Sequence, residues 1–142
     1  MPTEYPQNPA TAHTILLVDD DPDIRSLIRT FLEHDGYLVH ACGDADRAMQ
    51  IFQRKGSIDL LITDYSMPGR NGVDLAHELL TLQSNLPVLV ISGLLMDVDE
   101  MNQIETGGLK FLPKPFSLPR LLSEVHNVLH PDHHEASATL TA

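Results

Sequence analysis

The sequence holds one cysteine, nine lysines and arginines, and no apolar run of membrane length. Each shortage excludes something. A helix that crosses a bilayer needs about 18–20 consecutive apolar residues, so membrane insertion is not expected. Cys42 has no second cysteine in the chain to pair with. It reads as a small buried hydrophobe, and a chain without an internal disulfide suits a reducing, cytoplasmic setting. Met1–His13 carries proline and polar residues but no basic segment followed by an apolar one, so it does not read as a secretory signal. The formal net charge is −11 and the nine basic residues are scattered. Direct nucleic-acid binding wants lysine and arginine clustered on one surface, and that is missing here.

What remains is one domain's worth of chain, 142 residues with a hydrophobic content of 42%. Two periodicities alternate along it. Short apolar runs at Ile15–Val18, Tyr37–Ala41, Ile58–Ile62, Val88–Ile91 and Leu109–Leu112 read as strands. The first, third and fourth are continuous enough to be buried on both faces. Between them lie helical stripes. Ile24, Leu27, Ile28, Phe31 and Leu32 form one; Ala45, Ala48, Met49 and Phe52 a second; Val73–Leu82 a less regular third. Leu118, Leu121, Leu122, Val125, Val128 and Leu129 form the last. Asp97–Thr106 carries a thin stripe of Val98, Met101 and Ile104 and is the weakest helix. Asp21 before Pro22, and Ser117 before the last helix, suit the capping position, and Gly36 suits the residue just past a helix end. The order is (βα)5, an α/β fold with a mostly parallel sheet and helices on both faces. Met1–His13 and residues 131–142 read as flexible tails around a domain at 14–130. His130, His133 and His134 read as solvated tail histidines.

In an open parallel sheet, ligands bind beyond the carboxyl ends of the strands. The first strand ends in Asp19-Asp20-Asp21, the third in Thr63-Asp64, the fourth in Ser92-Gly93 and the fifth in Pro113-Lys114-Pro115. Carboxylates, a hydroxyl and an ammonium are thus expected on one edge. Crowded carboxylates repel, and a cation or raised pKa values must relieve them. Donors that are all oxygen suit Mg²⁺, which also favours phosphate oxygens. A carboxylate held beside such a cation and a fixed lysine is a nucleophile suited to phosphoryl transfer.

The stretches ILLVDDDPDIR (Ile15–Arg25), LLITDYSMPGRNG (Leu60–Gly72), PVLVISG (Pro87–Gly93) and FLPKPF (Phe111–Phe116) carry a family resemblance. From about Thr14 to His130 the chain resembles the receiver domains of bacterial two-component response regulators. The resemblance implies a flavodoxin-like, doubly wound five-stranded parallel sheet in the order 2-1-3-4-5. It implies that Asp64 is the phosphoryl acceptor and that the cofactor is Mg²⁺ or Mn²⁺. Asp20 and Asp64 would ligate that ion, Asp19 would support it through water, and the backbone carbonyl of Ser66 would complete the protein ligands. Lys114 would pair with Asp64 and then with the phosphoryl group. Ser92 would move toward the phosphoryl oxygens, followed inward by Phe111 as the aromatic switch. A cis bond at Lys114–Pro115 is implied too. The implied donor is a phosphohistidine on a histidine kinase or histidine phosphotransfer protein, and the implied output is control of a protein partner or output domain.

Two other classes compete. Phosphatases of the haloacid dehalogenase type share the aspartyl nucleophile, but need a second aspartate two residues later, where this chain has Ser66. An inactive receiver that only docks would not need every acidic and basic site residue, and all are present. Leu94, Leu95 and Met96 make an unusually apolar loop after the fourth strand, expected either to pack on the sheet or to meet a partner.

Overall fold

The computed structural model describes residues 12–93 and 107–130, together with positions 99, 101, 102 and 105. Five strands are present: β1 (Thr14–Val18), β2 (Leu38–Cys42), β3 (Leu60–Asp64), β4 (Val88–Ser92) and β5 (Lys110–Pro113). Four helices lie between and after them: α1 (Pro22–His34), α2 (Ala45–Lys55), α3 (Gly72–Leu82) and α4 (Leu118–Leu129). The backbone is also helical at Asp99, Met101, Asn102 and Glu105. The rest of the thin stripe expected at Asp97–Thr106, the loop Leu94–Met96 and most of both expected tails fall outside the described residues.

All strand pairs are parallel, and the sheet order is β2-β1-β3-β4-β5. Burial separates the middle of the sheet from its edges. β3 and β4 are buried at every position and β1 at all but its first, so these three fill the middle. β2 and β5 mix buried and exposed positions and form the edges.

Strand alternation divides the apolar residues into two cores. Leu16, Val18, Leu61, Val88 and Val90 point to one face, where Ala45, Ala48 and Phe52 of α2 and Leu75, Ala76 and Leu79 of α3 cover them. Ile15, Leu17, Leu60, Ile62, Leu89 and Ile91 point to the other, under Ile28 and Leu32 of α1 and Leu121 and Val125 of α4. Cys42 is buried in the first core, and burial pushes its thiol up to about 11.

Side chains set the helix starts. Asp21 accepts from the N–H groups of Asp23 and Ile24, and Ser117 accepts from Arg120 at 3.1 Å, as expected. Asp44 and Asn71 do the same for α2 and α3. Past α1, Gly36 takes φ 99°, a left-handed turn that suits glycine.

All five strands differ from the expected ranges by one or two residues at one end or both, and β3 shows why. Ile58 is buried, but in the core with Leu61, whereas Leu60 and Ile62 face the opposite one. A strand running through 58 would put Ile58 beside Leu60 and Ile62. The chain instead turns before β3, where Gln83 Nε2 donates to the Ile58 carbonyl at 3.0 Å. An apolar residue there needs burial but no ladder.

Candidate phosphoryl-transfer site

Sheet order reverses between β1 and β3, and the carboxyl ends of these two strands open onto one crevice. Asp19 follows β1 directly. Its N–H donates to the Cys42 carbonyl at 3.1 Å, so the ladder with β2 extends one residue past the strand and fixes Asp19 in place. Asp64 is the last residue of β3, and the next N–H, from Tyr65, donates to the Ile91 carbonyl at 2.7 Å. Both aspartates are therefore held by sheet hydrogen bonds on either side of the switch point.

One carboxylate oxygen from each of Asp19, Asp20 and Asp64 lies within 4.8 Å of the others. Asp19 is 1% exposed and Asp64 7%, whereas Asp20 is open to solvent. Burial raises the Asp64 carboxyl above its ordinary value. Lys114 and the Ser66 N–H pull it back, while Asp19 and Asp20 push it further up. Asp19 is raised chiefly by burial too, against the hydrogen bond from the Asp21 N–H and the charge of Lys114. The Lys114 ammonium stands 3.6 Å from the Asp64 carboxylate. Three acidic groups against one cation leave a deficit of positive charge in a half-dry site. A hard divalent cation fits that deficit, since every donor is oxygen and, among the described residues, no imidazole or thiol is near enough to join.

The remaining expected residues surround this cluster. Ser92 ends β4, is 2% exposed, and its carbonyl accepts the Lys114 N–H at 2.8 Å. Lys114 follows β5, and its bond to Pro115 is cis, as the resemblance implied. Phe111 lies on β5 opposite Val90, half-buried against the α2–α3 core. By alternation it shares a sheet face with Ser92, one strand over and two positions back. Ser66 lies in the loop after β3, exposed, with its N–H toward Asp64. Beside Lys114, Ile24, Leu27, Phe116 and Leu118 line an apolar groove of about 510 Å³.

Three supporting residues were not read from sequence. Arg25, one turn into α1, donates to the Asp19 carbonyl at 2.7 Å and braces it from behind. Thr63 Oγ1 donates to the Asp64 carbonyl at 3.0 Å. Gly72, the first residue of α3, lies so close to β3 that a Cβ there would fall 2.2 Å from the Asp64 carbonyl oxygen. Its N–H donates to the Tyr65 carbonyl at 2.8 Å, closing the loop that carries Ser66. The Asn-Gly pair before an apolar stripe is the signal that could have shown it: a cap, then a residue with no side chain.

Comparison with known proteins agrees with this fold. The family model described as the response regulator receiver domain matches residues 15–126. The transcriptional regulatory protein CpxR of Escherichia coli (strain K12) is 34% identical over 119 residues, which are 84% of this chain and 50% of that protein. The DNA-binding transcriptional regulator NtrC of Bradyrhizobium sp. (strain RP501 Parasponia) is 36% identical over 118 residues, 83% of this chain and 24% of that one. The chain thus spans half or less of these relatives. Among solved structures, a response regulator receiver domain protein from Clostridium thermocellum superposes with a TM-score of 0.77 at 28% identity, covering 85% of this chain and 97% of that one. Among the described residues, no helix is long and apolar enough to cross a membrane.

Proposed function

Because the chain belongs to the response regulator receiver family, we propose that it accepts a phosphoryl group on Asp64 from a phosphohistidine and switches conformation in response. The observation that carries this reading is the convergence of Asp19, Asp20 and Asp64 within 4.8 Å, with Lys114 Nζ 3.6 Å from Asp64.

Asp19, Asp20 and Asp64, with the Ser66 carbonyl, would hold Mg²⁺ or Mn²⁺. Such an ion would offset the crowded carboxylates and the charge on the transferring oxygens. Asp64 supplies the nucleophile: a carboxylate oxygen bonds to phosphorus, the phosphorus–nitrogen bond of the donor breaks, and its electron pair returns to the imidazole. Lys114 favours the charged, attacking form of Asp64 against the effect of burial, and is placed to pair with a phosphoryl oxygen afterwards. The chain itself is the acceptor, consumed once per transfer, so we do not class it as a turnover enzyme.

The product places roughly −1.5 to −2 charges on Asp64. Ser92 can donate its hydroxyl to a phosphoryl oxygen. Movement of Ser92 would free space on the sheet face it shares with Phe111, and Phe111 would fill it. Shifting a two-state equilibrium from 1:99 to 99:1 takes about 5.5 kcal/mol, within reach of a few charge-assisted bonds. The donor would be a histidine kinase or histidine phosphotransfer protein, for which the apolar groove beside Lys114 offers a surface next to the acceptor. CpxR and NtrC are transcriptional regulators; the output of this chain is to be found through its phosphorylated form.

Incubation with Mg²⁺ and a small acyl-phosphate donor, followed by intact mass, tests the reading beside an Asp64→Asn control. A phosphoryl-sized gain in the parent chain alone is expected. No gain from either that donor or a phosphorylated kinase, with the fold intact, would leave a docking module without phosphoryl chemistry.

A further inference from the structure

Where β1 leaves the sheet, Asp19 is held at three points. Its N–H donates to the Cys42 carbonyl at 3.1 Å, its carboxylate accepts the Asp21 N–H at 2.9 Å, and its carbonyl accepts Arg25 Nη1 at 2.7 Å. The first bond continues the sheet ladder and the second is a local turn. The third brings a charged side chain from α1 onto a main-chain oxygen at the foot of the acidic cluster. Gly43 stands across from it, leading from the end of β2 to the Asp44 cap of α2. A Cβ on Gly43 would fall 2.9 Å from Arg25 Nη1, 3.8 Å from Arg25 Cζ and 3.9 Å from the Asp19 carbonyl oxygen. Unlike Gly36, Gly43 does not take a positive φ, so its backbone would accept alanine. What its missing side chain leaves is room for the guanidinium.

We propose that Arg25, seated against Gly43, is a positioning residue for the divalent cation, a role that rests on the reading of Asp19, Asp20 and Asp64 as the cation's ligands. Arg25 sets the plane of the Asp19–Asp20 peptide, and with it the direction in which Asp20 presents its carboxylate. The peptide unit is planar, so a bond that holds the Asp19 carbonyl also holds the nitrogen of Asp20. Asp19 is buried and Asp64 ends a buried strand, so packing orients those two. Asp20 is exposed and lies past the end of β1, where its direction comes from the backbone that carries it. A guanidinium donor makes a charge-assisted bond, stronger than the neutral bonds of a sheet ladder. Groups behind the ligands of a metal site commonly change its affinity by about 10–100-fold when removed. The methyl of Gly43→Ala would meet the far end of a flexible side chain, so the fold would absorb it by displacing Arg25. The two residues thus act as one unit, and the effects of replacing them should not add.

Mn²⁺ binding to the full chain, read from the loss of the free-ion electron paramagnetic resonance signal, tests the proposal. Asp20→Asn sets the baseline for ions held elsewhere. Arg25→Ala should weaken binding at the acidic cluster about tenfold. Gly43→Ala should weaken it by a smaller factor, and the double variant should bind no more weakly than Arg25→Ala alone. Arg25→Lys, which keeps a cationic donor, should recover part of the loss. Alanine suits a helix interior, and thermal melts without cation verify that each variant is folded. Parent-like affinity in Arg25→Ala overturns the proposal, and so do losses that multiply in the double variant. Should Arg25→Ala not fold, parent-like affinity in Gly43→Ala overturns it instead. A parent chain that binds no more Mn²⁺ than Asp20→Asn overturns the cation reading and this role with it, whereas parent binding that Arg25→Ala keeps in full sinks the role of Arg25 alone.

Discussion

The two ends of this sheet are built from the same strands, yet they hold their polar groups in opposite ways. At the carboxyl end, Asp19 and Asp64 are buried, mutually repulsive and only partly offset by Lys114. At the amino end, Asp35 and His126 pair at 3.0 Å with both side chains substantially exposed to water, and the neighbouring rings pack edge to face. One end is left electrostatically unsatisfied, and the other holds a solvent-exposed pair with rings packed beside it. The crowded, buried end is where a cation or a phosphoryl group changes the energy most.

Four experiments sharpen or break that contrast. The largest effect belongs to Lys114. Replacing it with alanine removes the ammonium 3.6 Å from Asp64 and the charge expected to meet the phosphoryl oxygens. Loss of one such electrostatic partner typically lowers a rate by about 10²–10³-fold. Lys114→Ala should slow phosphorylation from a small acyl-phosphate donor on that scale, followed by mass against time. An unchanged rate would mean that the site works without its cation, and the contrast would lose its basis.

Gly72→Ala comes next and tests the scaffold in place of the charge. The added Cβ would overlap the Asp64 carbonyl oxygen at 2.2 Å and crowd Thr63 Oγ1 at 2.9 Å, so α3 or the end of β3 must shift. Overpacking of this kind costs about 1–3 kcal/mol. Urea denaturation should show that loss, with slower phosphorylation beside it, because the shift falls on the acceptor's own backbone.

The third experiment reads the strain itself. Asp64 and Asp19 are raised above 3.8, their ordinary value, chiefly by burial. The folded state therefore holds these protons more tightly than the unfolded chain does. Stability from this source is whole below the ordinary carboxylate value and falls as pH rises through the raised folded values. Asp64→Asn, which carries no charge to strand, should raise Tm near pH 7 without divalent cation. A gain of roughly 3 °C corresponds to about 1 kcal/mol in a domain of this size. The gain should shrink toward pH 4. Saturating Mg²⁺ should stabilise the parent more than Asp64→Asn, because it binds the folded form of the parent more tightly. A destabilised Asp64→Asn at pH 7 would show that Asp64 is satisfied in the fold.

Sequence made one end far more legible than the other. Strand-end residues announce themselves: Asp19, Asp64, Ser92 and Lys114 each follow or end an apolar run, and topology alone brings those ends together. The alternation of strands and helices was legible for the same reason, since burial on two faces leaves continuous runs in β1, β3 and β4. The strand order came from family resemblance, because periodicity does not say which strand lies beside which. Gly72 and Arg25 stayed hidden for a different reason. Their roles depend on a close approach between elements, Gly72 to β3 and Arg25 to the Asp19 carbonyl, and spacing within one element does not encode such approaches. The ring packing at the amino end was hidden more fully: His13 and His130 read as the edges of flexible tails, yet their rings lie 5.1 Å apart.

The smallest effect is expected at the amino end, and it completes the contrast. Asp35→Asn leaves an amide that can still accept from His126 Nε2, and removes only the charge. The pair is substantially exposed to water on both sides, with side-chain exposures of 49% for His126 and 38% for Asp35. Exposed pairs of this kind contribute about 0–1 kcal/mol, and salt screens them further. Urea denaturation of Asp35→Asn should thus show a loss of roughly half a kcal/mol or less, shrinking as salt is added. Phosphorylation should proceed at the parent rate, because Asp35 lies at the end of α1 far from its first turn, where Arg25 braces Asp19. A slowed phosphorylation would mean that strain at one end of the sheet is relieved through the other. The two ends would then be one device, coupled along α1, and not two independent sites on a common scaffold.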